Sequence, residues 1–296
     1  MSRILITGGS GQLGTALARL DWPAGVALDL PGRAELDLAD PASIQAWLAA
    51  NPPALILHSG AYTAVDKAES EPDLAMRING DAPGLLAAHA AAAGIPIVHV
   101  STDYVFDGSK PAPYDEEDPT APLGVYGATK LAGEQAVLAS GARAVVLRTA
   151  WVLSPDGNNF VKTMLRLGAE RDSLGVVADQ IGCPTSAHDI ALAMQAIGRR
   201  LLSDQAAPTG IYHFVNGGAA SWHDLAGFVF ARAAAAGRKT PQLNAIATAD
   251  YPTPARRPAN SRLDTAKIAR DYDIHPPHWH AAIGDILNIL LERQTA

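Results

Sequence analysis

The stretch Thr7-Gly8-Gly9-Ser10-Gly11-Gln12-Leu13-Gly14 decides how the chain begins to fold. It follows Arg3–Thr7, a short apolar and β-branched run that reads as a buried strand. It precedes Leu13, Leu17 and Leu20, which recur at helical spacing. Gly8, Gly11 and Gly14 stand three apart across this strand-to-helix turn. The turn needs unusual dihedrals, a backbone that can approach a pyrophosphate, and a helix packed close to the sheet; each demand excludes a side chain. The amides at the start of the helix then face the phosphates. Placed here, the pattern predicts a dinucleotide site with Gly8, Ser10, Gly11, Gln12, Leu13 and Gly14 in contact with the cofactor.

Working outward, the run Gly25–Asp29 predicts a second strand ending in Asp29, 21 positions after Gly8. An acid there can bond the adenosine ribose hydroxyls. Arg33, four residues on, suits a 2′-phosphate instead, so NADPH and NADH both stay open. Asp37 and Leu38 are placed near the adenine. Asp40 before Pro41 predicts a helix start, with the helix running to about Ala50. Further strands are expected at Ala54–Leu57, Ile95–Ser101 and Ala144–Thr149, and one long helix at Asp73–Ala93. Strands alternating with helices in this way give βαβ units and a parallel sheet.

After about Leu153 the pattern loosens. Helices are expected at Asn159–Glu170, Ser186–Leu202, Trp222–Ala236 and Trp279–Glu292, and short strands at Gly175–Ala178 and Gly210–Val215. The fold class is α/β: a Rossmann-type doubly wound parallel sheet with a smaller, interleaved C-terminal α/β substrate lobe. The dinucleotide-binding domain is expected at 1–153. The rest, 154–296, forms mainly the substrate lobe, with segments at about 180–215 returning to the sheet.

Composition sets limits. At 296 residues, 48% hydrophobic and 18% charged, the chain builds a real core and is not disordered. A net charge of −7 with no basic run argues against nucleic-acid binding. No apolar stretch approaches the roughly 20 residues of a membrane span, and no signal peptide is visible, so a cytoplasmic protein is expected. The single cysteine, Cys183, excludes an intrachain disulfide.

Chemistry enters at Tyr126-Gly127-Ala128-Thr129-Lys130. Four-residue spacing on a helix running to about Ala139 puts Tyr126 and Lys130 on one face. A free tyrosine has a pKa near 10 and is a poor proton shuttle at neutral pH. A nearby ammonium brings it toward working pH. Thr102 closes the apolar run at Ile95–Ser101, where its hydroxyl can meet a substrate carbonyl oxygen at the ligand side of the sheet.

Together, the glycine loop, Thr102 and the Tyr126/Lys130 pair resemble the extended short-chain dehydrogenase/reductases. More narrowly, the chain is similar to the dTDP-4-dehydrorhamnose reductase family. The segments that carry this are residues 63–69 (TAVDKAE), 101–108 (STDYVFDG), 122–127 (PLGVYG), 148–152 (RTAWV), 157–160 (GNNF), 179–185 (DQIGCPT) and 257–261 (RPANS). The resemblance implies NADPH- or NADH-dependent reduction of the C4 keto group of dTDP-4-dehydro-β-L-rhamnose to dTDP-L-rhamnose, a polysaccharide precursor. It implies that Tyr126 is the general acid, that Lys130 lowers its pKa and binds the nicotinamide ribose, and that Thr102 orients the keto oxygen. Ala61, Tyr62 and Thr63 join the implied cofactor contacts, and Thr102, Asp103, Trp151 and Asn159 are the implied substrate contacts.

Some members of the family form a dimer bridged by Mg²⁺ through acids. Here those positions hold Thr15, His188 and Glu292. With two of three carboxylates gone, no metal site is expected, since Mg²⁺ wants hard oxygen ligands. The chain is then a monomer or a homodimer held without metal. Two other functions fit the same motifs less well. A nucleotide-sugar epimerase or dehydratase would add carboxylates beside the hydroxyl residue, and only Asp103 is there. A non-catalytic NADP-binding regulatory subunit would have lost Thr102, Tyr126 or Lys130. The acidic run at residues 115–118 reads as a solvated loop or as a lid over the site, and Arg256 and Arg257 read as surface residues or as diphosphate contacts.

Overall fold

In the computed structural model, which describes residues 2–293, the first half alternates strand and helix. The strands are β1 (Ser2–Thr7), β2 (Val26–Asp29), β3 (Leu55–His58), β4 (Pro96–Thr102) and β5 (Arg143–Thr149). The helices are α1 (Gln12–Ala18), α2 (Pro41–Ala50), α3 (Val65–Ala68), α4 (Pro72–Met76), α5 (Ala82–Ala93) and α6 (Val125–Ala139). The second half continues through β6 (Val152–Leu153), α7 (Phe160–Glu170), β7 (Ser173–Val177), β8 (Ile181–Gly182), β9 (Thr185–Ser186) and α8 (Ala187–Ser203). It ends with β10 (Gly210–His213), β11 (Ala220–Ser221), α9 (Trp222–Ala235), β12 (Gln242–Ile246), α10 (Ala266–Tyr272) and α11 (Trp279–Arg293).

Six strands form one parallel sheet in the order β10-β5-β4-β3-β1-β2. Alternation divides each strand between two faces. Ile4, Ile6, Leu55, Leu57, Val98 and Leu147 pack under α1 and α8, in one core with Leu17, Ile190, Met194 and Ile197. Leu5, Ile56, Ile97 and Val146 turn the other way, against Leu48, Leu86, Ala90 and Val137. A separate core joins Leu153, Val161, Met164, Leu225, Val229, Ile283 and Leu287 in the C-terminal lobe. That lobe holds only small strand pairs: β7 with β12, β8 with β11, and β6 with β9. Among the described residues no helix is long and apolar enough to cross a membrane.

Local chemistry explains several boundaries. Asp40 accepts from the Ala42 amide at 2.9 Å and Pro41 fills the first helical position, so α2 begins there. The single helix expected over residues 73–93 is instead interrupted by a π-helical turn at Arg77–Asp81. Pro83 lacks an N–H, so the Asn79 carbonyl loses its partner four residues on. That carbonyl faces Gly133 of α6, where a Cβ would lie 2.1 Å from it. The Asn79 side chain accepts from the Tyr62 amide at 2.8 Å and donates to the Tyr62 carbonyl at 3.1 Å, tying the turn to the loop after β3.

The turn between β1 and α1 brings backbone close against backbone. A Cβ on Gly14 would lie 2.2 Å from the Gly8 carbonyl oxygen. Gly14→Ala is expected to cost about 1–3 kcal/mol of stability, the scale of overpacking at a site that cannot relax. Urea unfolding checks this, and an unchanged midpoint contradicts it.

Candidate active site

At the C-terminal ends of β1, β3, β4 and β5, between the two lobes, lies a cleft of about 640 Å³. Its position follows from the strand order: chain connections leave β1 and β3 in opposite directions and open a crevice there. Gly8, at φ +70, turns in a conformation open to glycine, and a Cβ on it would lie 2.7 Å from the Gly60 Cα. Ser10, Gly11, Gln12, Leu13 and Gly14 continue this wall, and Ala61 and Thr63 line the facing loop. Gly11 caps α1 without a side-chain hydrogen bond, which leaves the opening amides of the helix to a ligand.

Thr102, Asp103, Tyr126 and Lys130 also line the cleft, as do Trp151 and Asn159. Four expected contacts do not: Asp29, Asp37, Leu38 and Tyr62. Both Asp29 carboxylate oxygens accept from Arg3, at 2.8 and 2.9 Å. Asp37 accepts from the Ala39 amide at 2.9 Å, and Leu38 packs against Gly60 behind the loop. The Tyr62 hydroxyl donates to Glu71 at 2.7 Å.

The start of α6 is built to bring Tyr126 to the strand ends. Gly124 caps it without a side chain, and Glu69 reaches across to accept from the Val125 amide at 2.9 Å. Gly127 lets the first turn press on the Tyr104 carbonyl, 2.1 Å from where a Cβ would stand. The Tyr126 ring meets Tyr104 edge-on at 5.3 Å. Burial pushes the Tyr126 phenol up to about 12, with the nearby Thr102 hydroxyl pulling it down. The sequence-based expectation was the reverse, a phenol lowered by Lys130. Burial and the nearby Asp103 charge raise the phenol instead, and it holds its proton.

Lys130 is itself buried, and desolvation brings its ammonium down to about 8 against the opposing pull of Glu134. It donates to the Val100 carbonyl at 2.7 Å and lies 3.5 Å from His99 Nε2. His99 stacks on His58 at 5.0 Å, and His58 Nδ1 meets the Thr7 hydroxyl at 2.6 Å. Burial and the Lys130 charge depress both imidazoles, His58 to about 3, so they stay neutral. The Thr102 hydroxyl donates to Asp103 at 3.0 Å and accepts from the Tyr104 amide at 3.2 Å. Burial raises the Asp103 carboxyl to about 6.

Trp151 adopts φ 46, a left-handed conformation that costs a bulky residue of order 1–3 kcal/mol. Its ring stacks on Trp222 at 3.5 Å and presses on Gly182, where a Cβ would lie 2.4 Å away. The Trp222 indole donates to Gln180 at 3.2 Å, and Gln180 donates to Thr248 at 3.0 Å. Trp222 and Phe160 line the cleft and escaped the sequence reading. An aromatic at a helix start reads as core, and no local signal marks either. Asn159 is largely engaged within the fold: its amide donates to Gln12 at 2.9 Å and Ser154 at 2.6 Å, and its oxygen caps α7.

Other singled-out residues find structural partners. Arg257 pairs with Asp66 at 2.8 Å. Glu116, expected in a solvated loop, is half-buried and accepts from the His213 amide at 2.9 Å. Burial raises the Cys183 thiol to about 11, which removes it as a nucleophile. The wall therefore fits a dinucleotide: a glycine turn with no room for side chains, an uncapped helix start and a lysine aimed into the same cleft.

With Lys130 charged below about 8 and neutral above it, kcat/KM for carbonyl reduction should be flat at lower pH and fall as pH rises through about 8. Tyr126, near 12, should add no earlier loss. Initial rates from about pH 6 to about pH 10 check this, and a level profile through that range overturns it.

A family model described as RmlD substrate binding domain matches residues 1–292. The dTDP-4-dehydrorhamnose reductase of Sinorhizobium fredii is 46% identical over 290 residues, covering 98% of this chain and 98% of its own. That of Salmonella typhimurium is 42% identical over 297 residues, covering 99% of each. Among solved structures, the dTDP-4-dehydrorhamnose reductase from Bacillus anthracis in complex with NADP matches with a TM-score of 0.90 at 34% identity, covering 98% of this chain and 100% of that one. The UDP-glucose 4-epimerase of Thermus thermophilus in complex with NAD shares the fold, with a TM-score of 0.75 at 21% identity over 98% of this chain and 99% of that one.

Proposed function

The chain belongs to the dTDP-4-dehydrorhamnose reductase family, and from that membership we propose how its own residues carry the reaction. It is an NAD(P)H-dependent oxidoreductase that reduces the C4 keto group of dTDP-4-dehydro-β-L-rhamnose to dTDP-L-rhamnose. The observation that carries the assignment of roles is one cleft that holds the glycine wall, Tyr126, Lys130, Thr102 and Trp151 together.

A bound reduced nicotinamide supplies the hydride to C4. Tyr126 donates its proton to the carbonyl oxygen as the alkoxide develops, and its raised pKa keeps that proton loaded at neutral pH. Lys130, anchored on the Val100 carbonyl, brings positive charge to the cofactor side and favours the phenolate left behind. Thr102 orients the keto oxygen. Its hydroxyl donates to Asp103 at 3.0 Å, which holds it at the end of β4. Trp151, rigid between Trp222 and Gly182, offers a flat face to the sugar nucleotide. Gly8, Ser10, Gly11, Gln12, Leu13 and Gly14 hold the cofactor phosphates, with Ala61 and Thr63 opposite. Asn159 serves here to join the lobes. Asp29, Asp37, Leu38 and Tyr62, outside the cleft lining, complete the proposed cofactor contacts toward the adenosine end.

Mixing the protein with NADPH and dTDP-4-dehydrorhamnose, and following absorbance of the reduced cofactor, tests the reaction; no oxidation discards it. Tyr126→Phe should lower kcat by at least about 10²-fold, the scale of a lost general acid. A near-normal kcat removes Tyr126 from that role.

We place the enzyme in the cytoplasm, its one thiol buried and unbridged. It works as a monomer or as a homodimer without a bridging metal, because Thr15 and His188 offer no carboxylate. Sedimentation with and without EDTA is expected to give the same mass, and a dimer lost to EDTA contradicts this.

A further inference from the structure

Beneath the cleft lies an ion pair that the chemistry above does not use. Arg148 of β5 grips Glu134 of α6 with two parallel hydrogen bonds, Nε to Oε1 at 2.9 Å and the terminal nitrogen to Oε2 at 2.7 Å. Both side chains are almost completely buried, at 2% and 1% exposure. The rest of the guanidinium is also claimed. It lies 5.1 Å over the Phe106 ring and 3.5 Å from His213 Nε2. Phe106 stacks on Tyr114 at 4.2 Å, and His213 Nδ1 meets the Tyr114 carbonyl at 3.2 Å.

The sequence places this hub beside the reacting groups. Glu134 follows Lys130 by four residues and Tyr126 by eight, so all three share one face of α6. Arg148 precedes Thr149 and Trp151 on and after β5, and Phe106 follows Asp103 by three. Elsewhere α6 is held by Glu69 on the Val125 amide at 2.9 Å, by Lys130 on the Val100 carbonyl at 2.7 Å and by close approaches at Gly127 and Gly133. None of these is a directed bond to β5. A buried ion pair adds little stability over an apolar pair of the same volume, because desolvation offsets the attraction. What a bidentate Arg–carboxylate fork adds is geometry.

We propose that the Glu134–Arg148 pair is a positioning device for the reaction: it fixes the setting of α6 along β5, and so the placement of Tyr126 and Lys130 against Thr102 and Trp151. The proposal rests on the roles given to Tyr126 and Lys130. Neither Glu134 nor Arg148 touches substrate; each acts through the helix or the strand that carries it. Glu134 also supports the Lys130 ammonium. The other titratable groups facing that ammonium are His99 on β4 and His58 on β3, both neutral, and the Tyr126 phenol on its own helix.

The test replaces the pair by apolar residues of similar volume, Glu134→Leu with Arg148→Met. The double variant should unfold within ~5 °C of the parent. Its kcat should fall about 10²-fold, the scale of a 1 Å misplacement, while KM for NADPH and for the nucleotide sugar stays within ~3-fold. The basic limb of its pH profile should move below about 8, because Lys130 has lost its support. Arg148→Lys keeps both charges and loses only the fork; it should lower kcat about 10-fold with the basic limb unmoved. A parent-like kcat in either variant overturns the proposal. If the double variant fails to fold, the lysine variant decides alone. Tyr126→Phe in the same assay separates the two readings: parent-like turnover there removes the role of Tyr126, whatever the pair does.

Discussion

The closest constraint in this molecule is backbone against backbone. At the end of β1 the chain must turn, start a helix and leave room beside β3, all within seven residues. Gly14 lies so near the Gly8 carbonyl that no Cβ fits, and Gly8 leaves no room for one against Gly60 either. Three glycines thus set the angle between α1 and the sheet and the separation of the two loops above it. The strand order then places Thr102, on the neighbouring β4, within the same cleft. α6 is brought in by the same device, Gly127 against Tyr104 and Gly133 against Asn79. Where side chains are absent the elements meet closely, and where they meet closely the reacting groups are placed.

That economy explains what could be read in the sequence. Gly8, Gly11 and Gly14 are adjacent in the chain, so the turn was legible, as was the Tyr126/Lys130 spacing on one helix. Asp40 and Pro41 marked the start of α2 for the same reason: a cap is a local hydrogen bond. The π-helical turn at Arg77–Asp81 was not legible, although Pro83 is plain to see. A proline in a helix can kink it, end it or shift its register. Which occurs depended on Gly133, some fifty residues away, offering space to the freed Asn79 carbonyl. The partnership of Asp29 with Arg3 was hidden likewise, because it needs the parallel register of β1 and β2. Trp222 was hidden because its place in the cleft comes from stacking on a tryptophan in a strained loop.

Electrostatics gave the sharpest departure. Read on a helix face, a lysine four residues from a tyrosine lowers the tyrosine's pKa. In the folded protein both groups are buried, and desolvation raises Tyr126 to about 12 and lowers Lys130 to about 8. For the proposed role of Tyr126 as general acid this is the useful direction, since the tyrosine must then arrive protonated. The neutral His58 and His99 add a polar but uncharged floor beside the Lys130 ammonium.

The net charge of −7 first looked ill-suited to two anionic ligands. The arginines and lysines around the lobes show why it matters little. Arg3 is committed to Asp29, Arg257 to Asp66, Arg148 to Glu134 and Lys110 to Asp118. These cations serve as clamps between segments. If the glycine turn holds the phosphates as proposed, they meet backbone amides first. Those amides are fixed by the glycine turn and carry no counter-charge that must be released. Their field also falls off within a turn of the helix, so it acts on a ligand seated in the cleft and scarcely on anions passing in solvent. A protein of overall negative charge can hold such ligands tightly for that reason. The surface repels anions in general, and the turn selects the ones whose shape lets them reach it.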